Sequence, residues 1–467
     1  MASFFLVATA RAEDRPFSIE GYAGDLSVAA GDEIAFHVSS SAPRFSVEIA
    51  RLGAENRVVW SKNDLPGQFH PVPEDASANG CQWPETFRVP VDPTWKSGYY
   101  TATFRIADSG GAWTGRCKRT AEAEAFFVVR AAEPGKNTKI LIQLCTNTYN
   151  AYNNWGGFSV YAYSGLAKNQ GHKVSFERPG RSQFARWEQP FVVWCEENGY
   201  ALDYATNADL EVRPEILDRY NLVLSVGHDE YWSAPMRDHL EAWIAKGGNV
   251  AFFSGNSVCW QVRSEDEGKS FTCFKQNYHL DPIFQTRDFK LLSTAWSHHL
   301  VARPENELTG VGFLNGGYRD SHGQFIGEKA AYTAHRPEHW VFEGTGLKRG
   351  DEFGGKDTIV GYEADGCELE WRDGLPYPTC KDGTPKSFEV LGTCPVRWHP
   401  DDAEWYERWE IGHTGAACLG IYTEGGTVFT AATTDWAHGL KGKDAVVERI
   451  TRNVLDRLSK TGAKSAE

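Results

Sequence analysis

The hydrophobic period changes once along this chain, and that change constrains the fold more than any other feature. Before the linker at 131–137 (Ala-Ala-Glu-Pro-Gly-Lys-Asn), short segments alternate apolar and polar residues; after it, short apolar runs are separated by amphipathic stretches. In 32–39, Ile34, Phe36 and Val38 share one parity, 45–49 alternates again, and 86–91, 99–106 and 125–130 are further strand candidates. A period of two buries one face of a strand. Turn residues punctuate these segments at Gly31, Pro66-Gly67, Ser97-Gly98 and Gly110-Gly111. Together they predict an antiparallel β-sandwich over 15–131.

Beyond the linker, 139–144, 173–176, 222–226 and 249–253 read as strands, and 159–169, 184–198 and 234–246 as helices stopped by Gly171, Gly199 and Gly247. Strand–helix alternation predicts an α/β domain with a parallel sheet over 138–460. Two late strands, 419–422 and 426–432, and a terminal helix over 444–459 complete it. Such sheets carry their sites in loops beyond the carboxyl ends of the strands. Three of those loops, 146–152, 227–232 and 254–259, are polar and aromatic.

The net charge of −14, without a basic block, argues against nucleic acid or an anionic membrane as partner. No apolar run is long enough to span a bilayer as a helix. The ten cysteines are scattered, without a C-x-x-C pair, and read as reduced and buried; Cys81 with Cys117, or Cys367 with Cys380, leave a disulfide open. The apolar stretch 4–10 lacks the positive flank of a secretory signal, so a cytoplasmic protein is expected, with secretion the alternative.

The sharpest local feature is Gly227-His228-Asp229-Glu230-Tyr231-Trp232, which joins a buried strand to a helix capped by Ser233. His228 and Glu230, two residues apart at a strand end, could serve a metal or an acid–base pair, or simply cap a turn. Asn256, after the next strand, could orient a carbonyl or water, or supply turn geometry. Tyr149 lies in an Asn- and aromatic-rich loop; only a strong Lewis acid such as ferric iron would hold its phenol deprotonated. Cys145 has no indicated base nearby and reads as structural. Trp232, Trp260, Trp340 and Trp436 either line a small cavity or pack cores. The nucleophile-elbow, zincin, Walker and dinucleotide fingerprints are absent.

The chain resembles the large-subunit family of N,N-dimethylformamidase. The resemblance rests on W-x-S-G-x-Y at 95–100, the 146–157 loop, G-H-D-E-Y-W at 227–232 with the following S-G-N, G-Y-E-A-D-G at 361–366 and T-D-W-A-H-G-L at 434–440. It implies a β-sandwich followed by a flavodoxin-like, class I glutamine amidotransferase-like domain. It also implies a mononuclear, non-haem ferric iron held by Tyr100, Tyr149 and Glu230, with Tyr99 the fallback for Tyr100. His228, Asn256 and Glu363 would be the polar residues beside the metal. The implied reaction is hydrolysis of a small N-substituted amide, for dimethylformamide giving formate and dimethylamine. A homo-oligomer is expected, with or without a small accessory subunit, and the family's large subunit is longer than this chain. Two other readings remain open: a non-catalytic module binding a small molecule or carbohydrate, and a hydrolase using zinc with His228 as ligand.

Overall fold

A computed structural model describes residues 16–108, 119–321, 324–325, 330–398 and 414–460. The apolar stretch 4–10, the Gly110-Gly111 turn and Cys117 lie outside the described residues. The nine described cysteines are free thiols, and all but Cys380 are buried. Among the described residues, no helix is long and apolar enough to cross a membrane.

The architecture is mixed α/β, with a β-rich N-terminal region. In that region Glu33–Ser40 lies between Ile19–Ala23 and Phe87–Pro90 in an antiparallel three-stranded sheet. A five-stranded sheet runs in the order Ser27–Ala29, Arg119–Arg130, Gly98–Asp108, Arg44–Leu52, Arg57–Pro66. The alternating residues meet as the period requires: Ile34, Phe36 and Val38 pack with Phe45, Val47, Ile49, Tyr100, Ala102 and Phe104 in one buried cluster. The opposite parity of Gly98–Asp108 faces away, and Tyr99 joins a different core shared with Ile142, Tyr149 and Phe184.

The larger sheet has nine strands. Asp203–Thr206, Ile140–Leu144, Leu222–His228, Asn249–Gly255 and Gly426–Thr430 are parallel neighbours in that order. Thr414–Glu424, Glu389–Arg397, Tyr332–Ala334 and Glu352–Phe353 continue it antiparallel. The expected parallel sheet is therefore one half of a mixed sheet. Ile140–Leu144, Leu222–His228 and Asn249–Gly255 are mostly apolar on both faces because both are covered. Ile140, Ile142, Leu222 and Leu224 face the helices Glu188–Glu197 and Ala445–Leu458, whereas Leu141, Val223, Val250 and Phe252 face Ala234–Ala245.

Three expectations differ in instructive ways. The strand at 173–176 forms as Lys173–Ser175 but pairs antiparallel with Ser270–Thr272 in a separate four-stranded sheet. On the side away from Leu222–His228, Ile140–Leu144 pairs parallel with Asp203–Thr206, a four-residue strand too short and too polar to signal itself. The helix expected at 159–169 is replaced by two single turns, Ala162–Ser164 and Leu166–Lys168, broken at Gly165 and by positive φ at Ala167 and Lys168. Conversely, the loop at 146–152 is a helix, Thr146–Tyr152, which starts directly at a strand end.

Candidate functional site

The site forms where the parallel strands end. Leu222–His228 and Asn249–Gly255 run side by side, with His228 in register with Gly255. Gly227 allows the turn: it has φ +83°, and a Cβ there would lie 2.4 Å from the Cβ of Trp187. Gly255 allows a close crossing, since its Cβ would lie 2.5 Å from the Thr434 nitrogen and 2.6 Å from the Glu363 carbonyl oxygen. That crossing joins the 361–366 and 434–440 motifs, where Thr434 N–H donates to the Glu363 carbonyl at 3.0 Å. Asp435 fixes the same corner by accepting from the Tyr362 N–H at 2.7 Å and the Trp187 indole at 2.9 Å. Ser233 caps the following helix as expected, its hydroxyl accepting from Met236 N–H.

Glu230, buried at 2% exposure, is the focus of the cluster. Its Oε1 accepts from the Trp260 indole at 2.7 Å and from the Tyr161 hydroxyl at 3.1 Å. Its Oε2 lies 3.0 Å from the same hydroxyl, 3.1 Å from that of Tyr152 and 3.2 Å from His228 Nε2. His228 Nε2 also lies 2.7 Å from Glu363, whose Oε2 accepts from Asn256 at 3.3 Å. Tyr231 donates to the Tyr161 hydroxyl at 2.7 Å and accepts from Lys275 at 3.0 Å. The Lys275 ammonium stands 3.5 Å above the Tyr161 ring, a cation–π contact.

Burial and charge set the protonation of these groups. Burial alone would lower His228, but the facing Glu363 and Glu230 outweigh it and raise it to about 10. Burial opposes ionisation of Glu230, yet His228, Lys275 and the Trp260 indole bring its carboxyl below the ordinary value. Burial lowers Lys275 to about 8 against the pull of Glu230. Burial, with the Glu230 charge added, raises Tyr152 and Tyr161 well above the usual phenol. Among the described residues, the buried Asn256 Oδ1 and His228 Nδ1 have no hydrogen-bond partner. Glu230, Glu363, Asn256 and Lys275 line a cavity of about 280 Å³ together with Tyr152, Tyr161 and Trp260.

The structure thus brings together His228, Glu230, Asn256 and Glu363, and it does not bring Tyr100 or Tyr149 to them. The Tyr100 hydroxyl donates to the Lys96 carbonyl at 2.7 Å within the core of the N-terminal β-rich region, its ring stacked on Trp95. Successive residues of a strand face opposite ways, so Tyr100 points away from the α/β region. Tyr99 points towards it but stacks on Phe184 at 4.0 Å. Tyr149 donates to Glu188. The phenols that meet Glu230 are Tyr152, one helical turn beyond Tyr149, and Tyr161 in the following loop. Reading 146–152 as a helix would have exposed the choice between Tyr149 and Tyr152; nothing in the sequence marks Tyr161 or Lys275. Of the four tryptophans, only Trp260 lines the cavity, while Trp232 and Trp436 are buried in cores.

The Tyr149–Glu188 pair has its own signature. Burial raises the Glu188 carboxyl from 4.5 to about 7. The neutral form therefore favours the fold: this contribution is fully present below 4.5 and is lost as pH rises through about 7. The shift corresponds to on the order of 3 kcal/mol. Glu188→Gln is expected to flatten the fall in melting temperature across that interval. An unchanged slope would show that Glu188 is ionised in the fold.

The family model described as N,N-dimethylformamidase beta subunit-like, C-terminal, matches residues 46–450. The chain belongs to this family. It is 25% identical over 458 residues to the N,N-dimethylformamidase beta subunit of Paracoccus aminophilus, covering 81% of this chain and 55% of that relative. It is 24% identical over 460 residues to the protein of the same name from Alcaligenes sp., with the same coverage of 81% and 55%. The chain thus spans about half the length of the curated family members it matches. Among the described residues, no group of three or more His, Cys, Asp or Glu side chains is arranged to hold a metal ion. The hydroxyls of Tyr152 and Tyr161 converge on the Glu230 carboxylate.

Proposed function

We propose that the chain hydrolyses the C–N bond of an N-substituted amide, at a mononuclear ferric iron held by Tyr152, Tyr161 and Glu230. The observation that carries this reading is the approach of both phenol hydroxyls to one buried carboxylate at 3.0–3.1 Å. Three such donors offer three negative charges when ionised, which matches a trivalent cation and its preference for oxygen. Burial disfavours free phenolates here, so a bound cation is what would hold them ionised. When bound, iron supplies Lewis acidity to a carbonyl oxygen and to water.

The remaining residues account for the proton movements. Glu363 Oε2, held between His228 and Asn256, accepts the proton of the attacking water. The water oxygen bonds to the acyl carbon, the C–N bond breaks, and the nitrogen leaves with a proton supplied from the Glu363–His228 pair. The products are a carboxylate and a protonated amine. Asn256 would donate its second amide hydrogen to the developing oxyanion. The Trp260 indole keeps Glu230 in position.

We further read the chain as two units, 15–131 and 138–460, the second similar to class I glutamine amidotransferases. Because the relatives are named as beta subunits, we also read it as one subunit of a larger assembly. The purified chain should contain about one iron per site, show the visible absorption of ferric tyrosinate, and release amine from N-substituted amides. Stoichiometric zinc, or absence of amine release from the iron-loaded protein, would overturn the reading.

A further inference from the structure

We infer that Asp365 is a positioning residue for Asn256: its carboxyl fixes the peptide that follows Asn256 and so sets where the Asn256 amide points. This rests on the hydrolase reading above, which gives that amide the developing oxyanion to stabilise. Asp365 is fully buried, and the proton movements do not use it. It belongs to Ala364–Gly366, which pairs antiparallel with Gly312–Gly317. Against 432–434, Thr434 N–H donates to the Glu363 carbonyl and Asp365 N–H to the Ala432 carbonyl, each at 3.0 Å. Side chains two apart in an extended segment leave on one face. Both carboxyls accordingly reach the 254–259 loop. Glu363 Oε2 accepts from the Asn256 side chain at 3.3 Å, and Asp365 Oδ2 accepts from the Ser257 N–H at 3.1 Å. One segment thus grips Asn256 by its side chain and by the backbone beside it.

The backbone grip matters because the loop is left-handed, with φ +49° at Asn256 and +59° at Val258. A residue bearing a side chain keeps such a conformation only where its surroundings impose it. The ψ angle of Asn256 sets the orientation of the next peptide, and the Ser257 N–H is part of that peptide. The loop's other ties act elsewhere. The Ser257 hydroxyl bonds to that of Ser254 at 2.8 Å, and the Val258 N–H donates to the Asp229 carbonyl at 2.9 Å. Burial raises the Asp365 carboxyl to about 8 against the pull of the Ser257 N–H, with the charges of Glu305 and Glu363 adding to the rise. It is therefore mostly neutral at pH 7, and asparagine copies its shape, its charge and its carbonyl acceptor.

The test follows amine release from N,N-dimethylformamide, iron content and deuterium uptake on the full chain as purified. Asp365→Leu keeps the volume and removes the acceptor. Its kcat is expected to fall about 10- to 100-fold with KM and iron content little changed, because the donors to iron lie on other segments. Deuterium uptake over 254–260 should rise. Asp365→Asn should keep kcat within about threefold, since the acceptor remains. Asn256→Gly adopts positive φ freely and lacks the amide, so it should lose about 100-fold by itself. Adding Asp365→Leu to it should cost no more than about twofold further, because both changes act through one group. The inference is overturned if Asp365→Leu leaves kcat unaltered, if its loss recurs in full beside Asn256→Gly, or if Asp365→Asn is as impaired as Asp365→Leu. Should Asp365→Leu not fold, Asp365→Ser, whose hydroxyl stops short of the Ser257 N–H, takes its place in every arm. If the unaltered chain releases no amine, the hydrolase reading fails. Uptake then decides alone: faster exchange over 254–260 in the variant upholds the positioning role, and unchanged exchange overturns it.

Discussion

Changing Glu230 to Gln is expected to abolish metal retention and amide hydrolysis together. Both Glu230 oxygens accept hydrogen bonds: from Trp260 and Tyr161 on Oε1, and from Tyr152 and Tyr161 on Oε2, with His228 alongside. A glutamine replaces one acceptor by an amide that can only donate, so an N–H would face phenol or indole donors at a buried site. It also removes the negative charge that balances His228 and any bound cation. Loss of several kcal/mol of charge stabilisation corresponds to about a thousandfold or more in rate. Tyr161→Phe and Tyr152→Phe should behave alike, with metal content and turnover falling together. Tyr149→Phe and Tyr100→Phe should retain iron, because their hydroxyls are engaged by Glu188 and the Lys96 carbonyl. Metal analysis and single-turnover amine release on the five variants decide the matter. The donor assignment fails if Tyr149→Phe strips the iron while Tyr161→Phe keeps it.

What could be read from residues alone follows from the range of the interactions involved. Period-two alternation is local, so the N-terminal strands at 32–39, 45–49 and 99–106 were legible, as was the terminal helix with its apolar stripe. The strand–turn–helix around Gly227 was equally legible and put His228 and Glu230 at a strand end. Partner choice is not local. Lys173–Ser175 has a strand's composition whichever sheet it joins, and only folding shows that its partner is Ser270–Thr272. The tyrosine pair failed to be read for a similar reason. The W-x-S-G-x-Y motif drew attention to Tyr100, yet its conspicuous ring is a core residue. The phenol that makes two contacts with Glu230, Tyr161, sits in a segment that resembled a helix and is built from isolated turns. Lys275 reaches the cluster from a short 3₁₀ segment with positive φ, conformations that leave no periodic trace.

The 150–161 segment raises the question of what holds an irregular backbone in a defined place, since it has little regular hydrogen bonding of its own. The answer is Arg178, only 2% exposed. Its guanidinium donates to the carbonyls of Ser175 at 2.8 Å, Asn153 at 2.9 Å and Phe158 at 3.3 Å, to Asn150 Oδ1 at 3.2 Å, and to the Trp155 carbonyl. Burial lowers this guanidinium to about 10, which still leaves it charged at neutral pH. One rigid fork thus satisfies three carbonyls of the loop between Tyr152 and Tyr161, those of Asn153, Trp155 and Phe158. Arg178→Met would leave these acceptors buried and unpaired, at about 1–3 kcal/mol each, so a total loss above about 4 kcal/mol is expected. Arg178→Lys should recover only part of it, because an ammonium is a point donor that cannot span the same set of carbonyls. In the lysine variant, iron affinity should fall about 10- to 100-fold even where the chain remains folded, as for supporting residues around metal sites. Denaturant unfolding with iron titration on both variants measures the two effects separately. A change below about 1 kcal/mol in Arg178→Met, or an unaltered iron affinity in a folded Arg178→Lys protein, would show that the tyrosine loop is held by its other contacts.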